Sequence, residues 1–416
     1  MTAPAEFAAA RGRTGAAPDH KGFTDGTHRI VAPAATLRHV EPRLAKAGVT
    51  RLADVTGLDR IGLPVAMAVR PGSRNLSILQ GKGRTRDAAL ASAAMEAIEL
   101  HAAERAPRRA RWLAPRAIER PDRLLPAHVA RRRIDPDAAM PWLRGIELGS
   151  GRAMLVPEEL VLADFSIARP RGHRWFAPNT NGLAAGNTQA EAILHALCEV
   201  IERDALALFR LAGMPAACAV RPASVDDPAC RAALDRFAAA GHAVALWDIA
   251  SDIGVPAFLC EIDDYPGGRP PFLGRFAGTG CHPDAGVALL RALHEAAQSR
   301  LAVIVGARDD IAPGDYGTIG WSANLASLLD RRPPVRPVRD FGVCRSFATP
   351  TLSGDIAAVL ARLAAAKVGP VVAVDLTSPD VGVPVVRVLA PGLEGMQHKA
   401  GYRPGARARR LLGRRR

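Results

Sequence analysis

The sequence is poor in most of the features that announce a function. Aromatic residues make up 5% of the chain, too few for the stacking platforms of single-stranded nucleic-acid binders. Lysine occurs only at Lys21, Lys46, Lys82, Lys367 and Lys399. The cysteines (Cys198, Cys218, Cys230, Cys260, Cys281 and Cys344) are scattered, and with no Cys-x-x-Cys pair they signal neither a zinc ribbon nor a thioredoxin-like site. No apolar run approaches the roughly 18 residues that a membrane span needs. The N-terminus has no apolar signal core, so the chain is expected in the cytoplasm and away from the membrane. Gly-x-x-x-x-Gly-Lys-Ser/Thr, Gly-x-Ser-x-Gly and His-Glu-x-x-His are all absent, and Gly81-Lys82-Gly83 is too short for a P-loop.

What remains is long and basic. The chain has 416 residues, 55 Lys and Arg, 41 Asp and Glu, and a formal net charge of +14. Hydrophobic content of 48% supports a substantial core. The charge is not spread evenly. Seven Arg and no acid lie between Arg403 and Arg416, and ten Arg against three acids lie between Glu104 and Arg133. The remainder is balanced, so nucleic-acid binding is not the expected primary function.

Two patterns each recur three times. In the first, an amphipathic helix is followed by a short strand ending in Asp, a loop, and Gly-x-Pro opening a second strand. Its Asp positions are Asp54, Asp248 and Asp375, and its turns are Gly62/Pro64, Gly254/Pro256 and Gly382/Pro384. In the second, a Gly-containing turn opens a long Ala-rich helix with Glu-x-x-Glu or Glu-x-x-Gln. Thr85, Thr188 and His282–Pro283 stand at the expected starts of those helices. Strands are expected over 65–69, 76–80, 243–248, 256–262 and 371–376. The Pro- and Arg-rich stretch 104–142 reads as an irregular surface excursion. The fold class is mixed α/β (α+β).

On each long helix the polar residues share a phase. Ala88, Ser92, Glu96 and Glu99 are spaced four, four and three, which places them within about 80° of one another. Glu191, His195, Glu199 and Glu202 repeat that spacing, as do Val287, Arg291, Glu295 and Gln298. A polar stripe on an otherwise apolar helix must face solvent, another stripe or a ligand. A single Glu-x-x-Glu is usually a solvated face, Thr188 with Glu191 is also a capping box, and His195 and Cys198 read as packing residues. Three stripes in matching phase point instead to a multi-carboxylate site for Mg²⁺ and polyphosphate, since Mg²⁺ shares oxygen ligands with substrate phosphates. Arg203 and Arg300 follow their carboxylates closely enough to meet phosphate oxygens.

These motifs together, ALASA-x-x-E-x-x-E, TNGLAAGNT-x-x-E-A-x-x-x-A-L-x-E-x-x-E-R and E-x-x-Q-x-R, resemble the YcaO family over roughly residues 28–395. The resemblance implies a YcaO-type fold of internally repeated helix-strand-strand-helix modules around a central nucleotide site. It implies ATP and Mg²⁺ as cofactors, with phosphorylation of a peptide backbone amide oxygen after a nucleophile has added to the carbonyl carbon. Carried onto this chain, it assigns nucleotide contacts to Arg29, Thr36, Ser92, Asn187, Arg203, Gln298 and Arg300. It assigns Mg²⁺ to Glu96, Glu99, Glu191, Glu199, Glu202 and Glu295. Two departures stand out. Leu100 replaces an Arg that many members carry, and the C-terminus, RPGARARRLLGRRR, lacks the PxPxP ending typical of azoline formers. The opening stretch TGLDRIGLPVAMAVRPGSRNLSILQGKG is most similar to the TfuA-associated, thioamide-forming branch.

The expected organisation is a flexible arm over 1–27, a YcaO catalytic domain over 28–395 and a basic tail over 396–416. The expected partners are a peptide or protein substrate and a TfuA-like protein that delivers sulfide, with room left for a homodimer. Azoline formation at Cys, Ser or Thr is the first alternative. A non-enzymatic binding module using the Arg-rich tail is the second.

Overall fold

A computed structural model of the chain describes residues 19–105, 110–166, 175–264, 274–307, 338–395 and 402–413. In chain order it contains α1 (Pro33–Val40), β1 (Arg51–Asp54), β2 (Val65–Val69), β3 (Ile78–Lys82), α2 (Arg86–Ala103), β4 (Arg111–Leu113), β5 (Met140–Glu147) and β6 (Ala153–Pro157). There follow α3 (Glu158–Val161), β7 (Leu183–Ala185), α4 (Gln189–Leu211), β8 (Ala219–Val220), α5 (Pro228–Ala239), β9 (His242–Asp248), β10 (Ala257–Asp264), β11 (Arg275–Cys281) and α6 (Ala285–Val305). The last elements are α7 (Leu352–Ala365), β12 (Val372–Asp375), β13 (Val385–Leu389) and α8 (Ala406–Gly413). Mixed helix and sheet is the architecture that the alternating patterns imply.

The threefold repetition is physical. In one sheet β1, β2 and β3 run antiparallel and lead into α2; in a second, β9, β10 and β11 do the same and lead into α6. The registers match: Asp54 lies opposite Ala66 and Asp248 opposite Phe258, while Val65 pairs with Lys82 and Ala257 with Cys281. The third copy uses distant pieces of chain. Its hairpin is β12–β13, with Asp375 opposite Val386, but its third strand is β7, where Ala185 pairs with Val385 and leads into α4. The two halves of this module therefore stand in reverse order in the sequence. Gly62, Gly254 and Gly382 open the three Gly-x-Pro turns at φ of 70°, 73° and 67°, where a side chain would be strained.

Each long helix lies on the sheet that precedes it. Gly81 permits the first contact, because a Cβ there would stand 2.0 Å from Ala93 N and 2.3 Å from Ala89 O. Alanine on the facing side of α2 keeps that approach close, with Ala89, Ala93, Ala94 and Ala97 all buried in one core with β2 and β3. A second core joins α4 to β13 and α7, and a third joins α5 and α6 to β10.

Five expectations are corrected. The strand expected over 76–80 begins at Ile78, because residues 70–77 form a turn. Arg70 is tied there to buried Glu104 at 2.8 Å, and Asn75 Oδ1 accepts from Leu76 N. The third long helix is capped by Asp284, whose Oδ1 accepts from Val287 N at 2.9 Å; His282 stands before the cap and accepts from Asp284 N. The described part of the excursion 104–142 carries three short 3₁₀ turns, and it has a core of its own in which Ile118, Ala130, Met140 and Trp142 meet Trp175 and Phe176.

The expected arm and tail are also narrower than drawn. Lys21 Nζ reaches buried Asp355 at 2.5 Å, and Asp19 accepts from Ser353, so residues 19–27 belong to the body. At the other end, Arg407 is 3% exposed and forms a bidentate pair with Asp204 on α4, both bonds at 2.9 Å. Residues 1–18, 396–401 and 414–416 lie outside the described residues. Among the described residues, no helix is long and apolar enough to cross a membrane.

Candidate active site

The three polar stripes meet. A cavity of about 780 Å³ is lined by Ser92, Glu96 and Glu99 from α2, by Glu191, His195, Glu199 and Glu202 from α4, and by Arg291, Glu295 and Gln298 from α6. Arg29, Thr36, Asn187 and Arg203 line it as well. Each helix is aimed by a side-chain cap. Thr85 Oγ1 accepts from Ala88 N and Thr188 Oγ1 from Glu191 N, both at 3.2 Å, and Asp284 performs the same task for α6.

The carboxylates differ in their surroundings. Glu191 is engaged by the fold: Oε1 accepts from Ile30 N at 2.7 Å, and Oε2 accepts from Asn187 N and Nδ2 at 2.7 and 2.8 Å. Those bonds hold the N-terminal segment and the turn before α4 against the helix. Glu99 Oε1 accepts from Ala185 N at 2.7 Å, yet burial, reinforced by Glu96 and Glu199, pushes its carboxyl well above the usual range. Burial likewise pushes Glu199 up to about 7, with Glu202 adding to the effect and Arg203 opposing it. Glu202 accepts from Thr279 Oγ1 at 2.6 Å. Burial works against ionisation of Glu295, but Lys82 at 2.6 Å and Arg203 outweigh it and hold the carboxyl down to about 2.

A cationic set faces the acids. Lys82, Arg84, Arg203 and Arg291 line the same cavity as Arg29, which is half-buried near Glu191. Buried carboxyls that resist ionisation beside one another become favourable anions when a divalent cation stands between them. The donors are all hard oxygens, of the kind Mg²⁺ takes, and the cations suit phosphate. The residues present therefore fit both groups.

Arg300 is the exception among the expected site residues. It does not line the cavity. Its side chain is 2% exposed, its Nε lies 3.1 Å from Asp59 Oδ2, and its guanidinium sits 5.8 Å from the Phe276 ring centroid. Two residues beyond the polar stripe, it faces the loop before β2 and ties α6 to the first module. Gln298 lines the cavity, but its Nε2 is committed to Gln80 O at 2.7 Å.

Lys82, Arg84, Arg291, His195 and His294 also line the cavity and were not among the expected site residues. Arg291 and His195 were visible in the stripes. Lys82 stands in Gly81-Lys82-Gly83, a motif too short for a P-loop and without another signal in the sequence. Arg84 and His294 carried no signal in the sequence.

Comparisons with known proteins find similar sequences and similar folds. A family model described as an ATP- and Mg²⁺-binding YcaO cyclodehydratase matches residues 80–394. A protein of the tfuA 3′ region of Rhizobium leguminosarum bv. trifolii is 38% identical over 396 residues, covering 90% of each chain. A protein of Methanothermobacter thermautotrophicus is 36% identical over 375 residues, covering 88% of this chain and 95% of its own. Among solved structures, the YcaO protein of Methanopyrus kandleri bound with AMPPCP and Mg²⁺ superposes with a TM-score of 0.72 at 26% identity, covering 90% of this chain and 95% of that one. A heterocyclase in complex with substrate and cofactor shares the fold, with a TM-score of 0.74 at 21% identity over 91% of this chain. The chain spans about half of that heterocyclase's length, 54%.

Proposed function

The chain belongs to the YcaO family, and from that premise we propose that it uses ATP to activate a peptide backbone amide and exchanges the amide oxygen for sulfur. The observation that carries the ATP-dependent step is the convergence of three carboxylate stripes and a cationic set on one cavity. The likeness to a protein of the tfuA 3′ region supports sulfide as the nucleophile and a TfuA-type protein as the partner that delivers it.

An amide carbonyl is a weak electrophile and its oxygen a poor leaving group. In the proposed reaction sulfide adds to the carbonyl carbon while the oxygen takes the γ-phosphoryl group of ATP, forming a C–S and an O–P bond and releasing ADP. The C–O bond then breaks, phosphate departs, and loss of the sulfur-bound proton leaves a thioamide.

The chain's residues take roles that follow from their places. Glu96, Glu99, Glu199, Glu202 and Glu295 would hold Mg²⁺, with Glu191 setting the shape of the cavity wall. Bound Mg²⁺ supplies charge neutralisation at the phosphoryl group. Arg29, Lys82, Arg203 and Arg291 neutralise phosphate oxygens in a partly closed cavity, where each charge counts for more than in water. Thr36, Ser92, Asn187 and the free oxygen face of Gln298 orient the nucleotide.

Glu199→Gln and Glu202→Gln test the ATP step. Each should fold normally and lose ATP-dependent phosphate release; wild-type release from both would remove the metal assignment. Mass spectrometry of a peptide treated with ATP, sulfide and the enzyme tests the product. Gain of sulfur for oxygen supports thioamide formation, whereas loss of water at Cys, Ser or Thr identifies an azoline-forming enzyme.

A further inference from the structure

His195 reads as a packing residue in the sequence, but the fold places it in the cavity wall, one turn from Glu191 and one turn from Glu199 on α4. Its Nε2 lies 3.1 Å from Arg291 Nη2. A guanidinium carries only donors, so Nε2 must present its lone pair and the proton of the neutral ring must sit on Nδ1. Nδ1 has no hydrogen-bond partner among the described residues, and it is not one of the side-chain atoms buried without a partner. Its N–H is therefore presented to the open cavity.

Two consequences follow. A general base needs a free lone pair, and this ring's lone pair is occupied by Arg291. What the ring offers is a neutral donor, and it offers it where positive charge converges. Burial first, then Arg291, Arg29 and Lys82, press the imidazole toward its neutral form. A donor N–H surrounded by three cations selects an anionic oxygen.

We infer that His195 is a phosphate-contacting residue, donating its Nδ1–H to the terminal phosphate of the nucleotide while Arg291 locks the tautomer. This rests on the ATP reading of the cavity and adds to it a residue and a place along the nucleotide.

The test is calorimetric titration of Mg²⁺–AMPPCP and Mg²⁺–ADP into the full chain, comparing wild type with His195→Leu, His195→Asn and His195→Gln. Asparagine can return an N–H near the position of Nδ1, whereas glutamine returns one near Nε2, facing Arg291. Leucine and glutamine should weaken AMPPCP by about tenfold or more, the loss of one hydrogen bond to a charged group, and ADP by less than about threefold. Asparagine should stay within about threefold of wild type for both. Equal weakening of both nucleotides would assign His195 to packing alone, and unchanged affinity in the leucine variant would remove it from the site. If leucine fails to fold, the asparagine and glutamine variants carry the comparison, and equal behaviour of those two overturns the inference. Failure of wild type to bind either nucleotide would overturn the ATP reading itself, and this inference with it.

Discussion

The docked C-terminus makes a prediction that can be worked through from the structure. Arg407 is 3% exposed and Asp204 is 0% exposed, and Asp204 follows Glu202 and Arg203 directly on α4. Asp204 Oδ1 also accepts from Glu394 N at 2.9 Å. Glu394 in turn accepts from Tyr402 OH, Gly405 N and Ala408 N, so one network closes residues 402–408 onto the helix. Arg407→Ala leaves a buried carboxylate without its counter-charge, a change that typically costs about 3–5 kcal/mol. The loss has a ceiling, because the carboxyl can take up a proton instead. From an ordinary pKa of 3.8 that costs about 4 kcal/mol at neutral pH, at about 1.36 kcal/mol per pH unit.

Burial already holds the Asp204 pKa above its ordinary value with Arg407 present, and removing the guanidinium raises it further. The folded variant then binds its proton at a pH where the unfolded chain does not. Its stability deficit is therefore largest above the folded pKa of the variant. As the pH falls toward the wild-type folded value, the deficit shrinks by up to about 1.4 kcal/mol per unit. Urea unfolding followed by far-UV circular dichroism at about pH 7.5 and about pH 5.5 measures both quantities. A deficit below about 1 kcal/mol, or one that is the same at both pH values, would refute the reasoning.

Three further outcomes are expected. Arg300→Met should destabilise the protein by about 3 kcal/mol through the orphaned Asp59, while the folded variant binds Mg²⁺–AMPPCP as wild type does; weakened binding would return Arg300 to the site. Gly81→Ala should cost about 3 kcal/mol or more in thermal or urea unfolding, because the new Cβ meets the backbone of α2 rather than a movable side chain. Apparent Mg²⁺ affinity should fall as the pH drops below about 7, where Glu199 takes up its proton, by up to about tenfold per unit. Calorimetry across that range checks it, and a flat profile would show that Glu199 is not a ligand.

Much of the architecture and most of the site could be read from the chain, for one physical reason. Helical periodicity converts spacing into direction, so the four-four-three intervals on three helices state which side chains share a face. The capping residues Thr85 and Thr188 and the Gly-x-Pro turns are equally local, since each depends on bonds or dihedral angles within a few residues. Asp284 shows the limit of that precision, because His282–Pro283 looked as good a start as the residue that performs the cap.

Tertiary closure decided the rest. Arg300 stands two residues past a polar stripe and could have faced the cavity, but the sheet and loop packed against α6 present Asp59 to it instead. Arg407 sits in a run of arginines that reads as a basic tail, and only the approach of α8 to α4 makes it the partner of a buried aspartate. Lys82 becomes a site residue through Glu295, and β7 finds its module through β13, each across about half of the chain. Local spacing determines which way a side chain points. Which surface stands opposite depends on contacts between segments far apart in sequence, and no short-range pattern encodes them.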